Sequence, residues 1–108
     1  MDCHLDNETL TSVYSDFSDD PDYSKLLNFF VDALPERFAL LLELQEKGEI
    51  EPLRELAHQL KGAGGGYGFP GLTEAARELE SACKEKNQDL ISERLDQLTE
   101  YMSRIAAN

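Results

Sequence analysis

Between Ala57 and Gly68 the chain places five glycines in a stretch whose apolar residues otherwise recur with helical spacing. Leu53, Leu56, Ala57, Leu60, Ala63, Gly64 and Tyr67 fall on one stripe at i, i+3, i+4 and i+7, the pattern of a helix with one buried face. Each glycine in a helix interior costs about 0.8–1 kcal/mol relative to alanine, so Gly62, Gly64, Gly65 and Gly66 together forfeit roughly 3–4 kcal/mol. A small domain has only about 5–15 kcal/mol of stability in all. A helix that tolerates this loss needs bare backbone there, either to pack closely on a neighbour or to let something outside approach.

Direction separates the two uses. At about 100° per residue, and measured from Leu53, His58 projects near 140°, Gly65 near 120° and Gly62 near 180°, all away from the buried stripe. Gly64 faces inward and reads as a helix–helix contact. Lys61 lies near 80°, one turn on from His58 at i+3 and within side-chain reach of the imidazole. The solvent face is therefore a histidine above smooth backbone, with Gln59 as a polar contact at its rim.

The same periodicity runs through the rest of the chain. Asp20-Pro21-Asp22 supplies an N-cap, a proline at the first helical position and an acid in the first turn. Tyr23, Leu26, Leu27, Phe30, Val31 and Leu34 follow as one stripe, until Pro35 removes a backbone donor and kinks or restarts the helix. A second helical stretch with Phe38, Leu41, Leu42 and Gln45 runs to about Lys47, where Gly48 stops it. The histidine helix extends from about Ile50 to Tyr67, and Gly68-Phe69-Pro70-Gly71 turns the chain. Leu72, Ala75, Ala76, Leu79, Ala82 and Cys83 mark the next helix, and Asn87-Gln88-Asp89 breaks it. Ile91, Leu95, Leu98, Met102 and Ile105 form the seam of the last one. No alternating strand pattern stands out. The expectation is an all-α fold: an antiparallel up-and-down four-helix bundle over residues 21–108, preceded by an acidic segment, residues 1–20, that is part tail and part short helix.

Composition restricts the partners. With 22 acidic and 10 basic residues the formal net charge is −12, which repels phosphate backbones and anionic membranes and leaves soluble proteins as partners. The absence of a signal peptide and of any apolar run near 18 residues leads us to expect a cytoplasmic protein. Cys3, beside His4, and Cys83 lack any metal-ligand spacing, and Cys83 continues an apolar stripe as a small hydrophobe.

Competing motifs fail on context. Gly66-Tyr67-Gly68-Phe69-Pro70-Gly71 matches Gly-x-Gly-x-x-Gly but follows a helix, where a dinucleotide fingerprint follows a strand. Glu55-Leu56-Ala57-His58 matches the Glu-x-x-His of di-iron bundles but occurs once and points outward, so no metal is expected. No serine or second cysteine stands in triad spacing with His58. What remains is an exposed imidazole, a nitrogen nucleophile able to take up a phosphoryl group. Lys61 can offset the new negative charge, and Gly62 and Gly65 clear the approach.

At these residues the chain resembles the histidine-containing phosphotransfer (HPt) domain family, whose pattern His-x-Leu-Lys-Gly with a further glycine near the helix end is met by His58, Leu60, Lys61, Gly62 and Gly68. Ala57 also matches, and the likeness extends from about Leu26 to Ile105, including the run Leu72-Thr73-Glu74-Ala75-Ala76 through Leu79-Glu80. Gly64-Gly65-Gly66 departs from it where many members carry small polar residues, a difference that bears on helix rigidity.

The resemblance implies a helical carrier without catalytic machinery of its own; nothing in the sequence demands a dimer, so a monomer is expected. It would move a phosphoryl group on His58 between aspartates of response-regulator receiver domains, or receive it from a sensor histidine kinase or hybrid kinase. Mg2+ would come from the receiver, so the chain itself would need no cofactor. The alternative is a non-phosphorylated helical adaptor that binds receiver or kinase domains, against which the presence of His58 argues. A free protein and a module of a larger hybrid kinase fit the sequence equally.

Overall fold

The computed structural model describes residues 12–106. Four helices make the body of the molecule: α1 (Ser24–Glu46), α2 (Ile50–Gly66), α3 (Pro70–Glu85) and α4 (Gln88–Arg104). Each boundary has a local cause. Asp20 caps a single 3-10 turn, Pro21–Tyr23, by accepting from the Asp22 amide at 2.9 Å, and this turn leads into α1. Gly48, at φ +71°, ends the α1–α2 connection in the left-handed region. Pro70 occupies the first turn of α3, and the Asn87 side chain caps α4 by accepting from the Leu90 amide at 3.1 Å.

The four helices pack around one core in which Leu41, Leu53, Leu60, Phe69, Leu72, Leu79 and Leu95 are almost fully buried. The all-α bundle expected from the periodicity is what the chain forms. Two local expectations are corrected. Of the two outcomes expected at Pro35, a restart does not occur: residues 24–46 are one helix of 23 residues with the proline exposed inside it. Its ring lies on the solvent side, so only the hydrogen bond to the Val31 carbonyl is lost. In place of the short N-terminal helix, the described part of the leading segment contains a strand, β1 (Val13–Tyr14), which pairs in parallel with β2 (Ile105–Ala106). Residues 1–11, including Cys3 and His4, lie outside the described residues. Cys83 is buried as expected, and burial pushes its thiol up to about 11.

The closest packing in the bundle is between α2 and α3, and Gly64 explains it. A methyl group added there would meet the Thr73 amide nitrogen at 2.7 Å and the Phe69 carbonyl oxygen at 3.0 Å, which are backbone atoms with little freedom to retreat. Thr73 Oγ1 also donates to the Lys61 carbonyl at 2.9 Å, tying the two helices at the same level. At Gly62, by contrast, an added methyl group would meet nothing within 4 Å.

These two glycines make opposite predictions. Gly64→Ala should lower stability by about 1–3 kcal/mol through overpacking against fixed backbone. Gly62→Ala should raise it by up to about 1 kcal/mol, because alanine is the better helix former and meets no neighbour. Urea denaturation midpoints of the two variants should move in opposite directions from the wild type.

Candidate functional site

His58 sits in the third turn of α2 on the side away from the core, with its side chain 64% exposed. Leu56, Ala57 and Leu60 are buried, so the backbone beneath it is anchored while the ring faces outward. One turn later, at i+4, Gly62 is exposed and open, and Gly65 has only Thr73 Oγ1 near it, at 3.9 Å from an added Cβ. No side chain from α2 therefore rises beside the ring on that flank. Gln59 is exposed on the other flank, where α1 faces α2.

The residue that organises the site is one that helical periodicity alone did not single out. Glu80, on α3, is 4% exposed and directs its carboxylate at α2. One oxygen lies 2.9 Å from His58 Nδ1 and the other 2.8 Å from Lys61 Nζ. Lys84 Nζ stands further off, at 3.9 Å. The Lys61 ammonium holds the Glu80 carboxyl below the usual carboxylate range, overriding the opposing effect of burial, and the imidazole contact adds to it. Glu80 is thus an anion at neutral pH, which can only accept. Nδ1 must then carry a proton and donate it to Glu80, which in the neutral ring leaves the Nε2 lone pair on the exposed side.

Lys61 has a partner that the helical wheel of α2 alone does not show. Its ammonium is one turn from the imidazole, as the spacing requires, but it is paired with the carboxylate that also binds the ring. The signal for Glu80 was weak: on α3 it falls about 80° from Leu72, beyond Ala76 at about 40°, which marks the edge of the apolar stripe on that side. An acid at that edge that a neighbouring helix covers demands a cationic partner.

Arg54, Glu55, His58, Gln59, Glu80 and Lys84 line the open cleft around the ring, two bases and two acids in a strongly acidic chain. Glu55 points to solvent and shares no ligand geometry with His58. Among the described residues no cluster of three His, Cys, Asp or Glu side chains could hold a metal ion. Among them, too, no helix is long and apolar enough to cross a membrane.

An outward histidine with an ionised carboxylate behind it, on a four-helix bundle, is an arrangement suited to carrying a group on Nε2. The Hpt domain family model matches residues 25–108. The chain belongs to the Hpt domain family. Comparison with curated proteins and with solved structures gives no match. Family membership places the chain among the phosphotransfer carriers of two-component phosphorelays, proteins that interact with receiver domains and histidine kinases and are not themselves catalysts. The two structural glycines fall into distinct positions: Gly64 is buried against α3, and Gly68, at φ +81°, is buried in the turn after α2.

The depressed carboxyl of Glu80 links stability to pH. A group whose folded pKa is lowered stabilises the fold above its unfolded pKa, about 4.3 for glutamate, and loses that contribution as pH falls through the folded value. The stability difference between wild type and Glu80→Gln should therefore be largest at neutral pH and shrink on acidification below the ordinary carboxylate range. Urea midpoints measured for both proteins across that range test this, and two parallel curves would contradict it.

Proposed function

We propose that His58 is the phosphoacceptor of this Hpt domain and exchanges a phosphoryl group with the aspartate of a response-regulator receiver. The observation that carries the reading is the 2.9 Å contact between Nδ1 and the buried Glu80 carboxylate, which leaves Nε2 as the outward nucleophile. In the forward step the Nε2 lone pair attacks phosphorus of the receiver's aspartyl phosphate. The N–P bond forms, the P–O bond to the aspartate breaks, and the carboxylate departs with its electron pair. No proton leaves the histidine, because Nε2 has none. The phosphorylated ring keeps its Nδ1–H and gains positive charge, which the Glu80 carboxylate faces directly. The reverse step returns the phosphoryl group to a second receiver.

The chain's part is to present, orient and compensate charge. Mg2+ and the acidic pocket that cradles the phosphoryl group are assigned to the receiver. Lys61, partly exposed, pairs with Glu80 one turn from the ring, and we assign its ammonium to a phosphoryl oxygen when one arrives. The open backbone at Gly62 and Gly65 lets the receiver's pocket close over the imidazole.

A docking surface adjoins the ring. α1 carries an exposed stripe, with Leu26 50%, Phe29 73% and Leu40 41% exposed, beside the residues that it buries in the core. Between this stripe and α2 runs a groove of about 290 Å³ whose walls include Phe29, Ala33, Arg37, Gln59, Ala63 and Tyr67. Gln59 lines both this groove and the His58 cleft, so the two adjoin. We assign the groove to an apolar face of the receiver.

The function is tested by incubating the protein with a receiver domain charged by acetyl phosphate and following acid-labile, base-stable phosphate. Wild type should be labelled and His58→Gln, which removes an exposed side chain and leaves the bundle folded, should not. Label retained by a folded His58→Gln protein would overturn the assignment. Phe29→Ser should raise the receiver concentration for half-maximal transfer about fivefold or more, as truncating an aromatic anchor typically costs over about 1 kcal/mol. Lys61→Ala should slow transfer by a few-fold to about a hundredfold without abolishing it, given the worth of hydrogen bonds to charged groups.

A further inference from the structure

The residues that precede the family match contain a built contact with the acceptor helix. Ser15 is 4% exposed and its Oγ donates to the Tyr67 carbonyl at 2.5 Å. The same oxygen accepts from the Phe17 amide at 2.9 Å, closing the turn of the leading segment. The Asp16 amide donates to the Gly68 carbonyl at 2.8 Å. On one side of these contacts β1 pairs with β2, and on the other Phe17 stacks on Tyr23 with ring centroids 4.6 Å apart. Val13–Phe17 is thus a strap fastened at both ends and drawn across the turn that follows α2.

The fit of the strap is specific to this turn. Gly68 has φ +81°, and a Cβ there would meet Ser15 Oγ at 2.5 Å and both the Asp16 amide nitrogen and Phe17 Cδ2 at 3.0 Å. The strap needs a glycine, and the glycine leaves room for the strap.

What the strap holds is the weakest end of the acceptor helix. Gly62, Gly64, Gly65 and Gly66 leave the last turns of α2 with the greatest backbone freedom of any residue type. Tyr67 follows at once, stacked on Phe30 at 4.3 Å with the rings nearly parallel, and it forms one wall of the docking groove. Fixing the Tyr67 carbonyl fixes the place from which that wall rises.

We propose that the Val13–Phe17 strap preorganises the receiver-docking groove, with Ser15 as a positioning residue that acts through Tyr67. The proposal rests on the phosphorelay reading above and adds to it a determinant of partner affinity outside the residues matched by the family. A groove already formed before the partner arrives costs less ordering on binding, so the strap should govern how much receiver is needed and leave the transfer step alone.

The test uses the full-length chain with Ser15→Ala, which removes the pin, and Val13→Ala, which loosens the strap from its other end. Two readouts are taken: amide hydrogen exchange, and transfer from an acetyl-phosphate-charged receiver at varied receiver concentration. Exchange at residues 64–69 should accelerate about tenfold or more in each variant, with α3 and α4 amides unchanged, because local opening is what the strap opposes. The half-saturating receiver concentration should rise about threefold or more while the rate at saturation stays within about twofold.

Unchanged exchange at residues 64–69 would show that the strap does not hold the helix end. Faster exchange with an unchanged half-saturating concentration would show a purely structural strap. A fall in the saturating rate alone would place Ser15 in the transfer step. Each of these overturns the proposal. Should Ser15→Ala unfold, Val13→Ala decides by the same criteria. No label on the wild type under these conditions would overturn the phosphorelay reading, and with it the proposal; normal wild-type labelling with any of the other outcomes overturns the proposal alone.

Discussion

The Glu80 carboxylate is the point at which folding and chemistry meet in this molecule. Buried at 4% exposure, it has to be compensated, and α2 supplies both compensating groups, the Lys61 ammonium at 2.8 Å and the His58 Nδ1 at 2.9 Å. Because both come from one helix at i and i+3, a slip or rotation of α2 on α3 would strand the anion. The Gly64 contact with Thr73 brings the two backbones close enough for the short bonds to form. The pairing that sets the register of the two helices also decides which imidazole nitrogen faces the outside.

Charge placement extends this logic beyond the ring. The chain is strongly acidic, with a formal charge of −12, and around the histidine the cations are matched by acids: Arg54 pairs with Glu51, and Lys61 and Lys84 face Glu80. This patch is therefore less acidic than the chain as a whole and repels an incoming anion less. The apolar stripe of α1 lies on the same side of α2, where the glycines leave no side chain above the backbone.

Much of this was legible in the residue order. The helical stripes located all four helices, and rotation from Leu53 placed His58, Gly62 and Gly65 outward and Gly64 inward, as the structure has them. Periodicity works for these residues because burial of one face decides helix orientation. It works less well where a competing rule has no fixed strength. Pro35 removes one hydrogen bond, but 23 residues of α1 hold together around it. Leu26 and Leu42 looked like core and are half exposed, because α1 carries a wider apolar arc than the bundle covers. The β1–β2 pairing is two residues long and comes from opposite ends of the chain, so no local pattern announces it. Glu80 needed a different question, namely which charged residue stands at the edge of an apolar stripe where a neighbouring helix covers it.

The central claim is that Glu80 fixes the proton on Nδ1 and so directs the phosphoryl group to Nε2. Imidazole nitrogen NMR on uniformly 15N-labelled protein at about pH 8, above the ordinary histidine range, tests it most directly. The account predicts a pyrrole-type shift with an attached proton for Nδ1 of His58, a pyridine-type shift for Nε2, and phosphorus coupling to Nε2 after loading by a charged receiver. A proton on Nε2 in the unloaded protein, or phosphorus coupled to Nδ1, would contradict it.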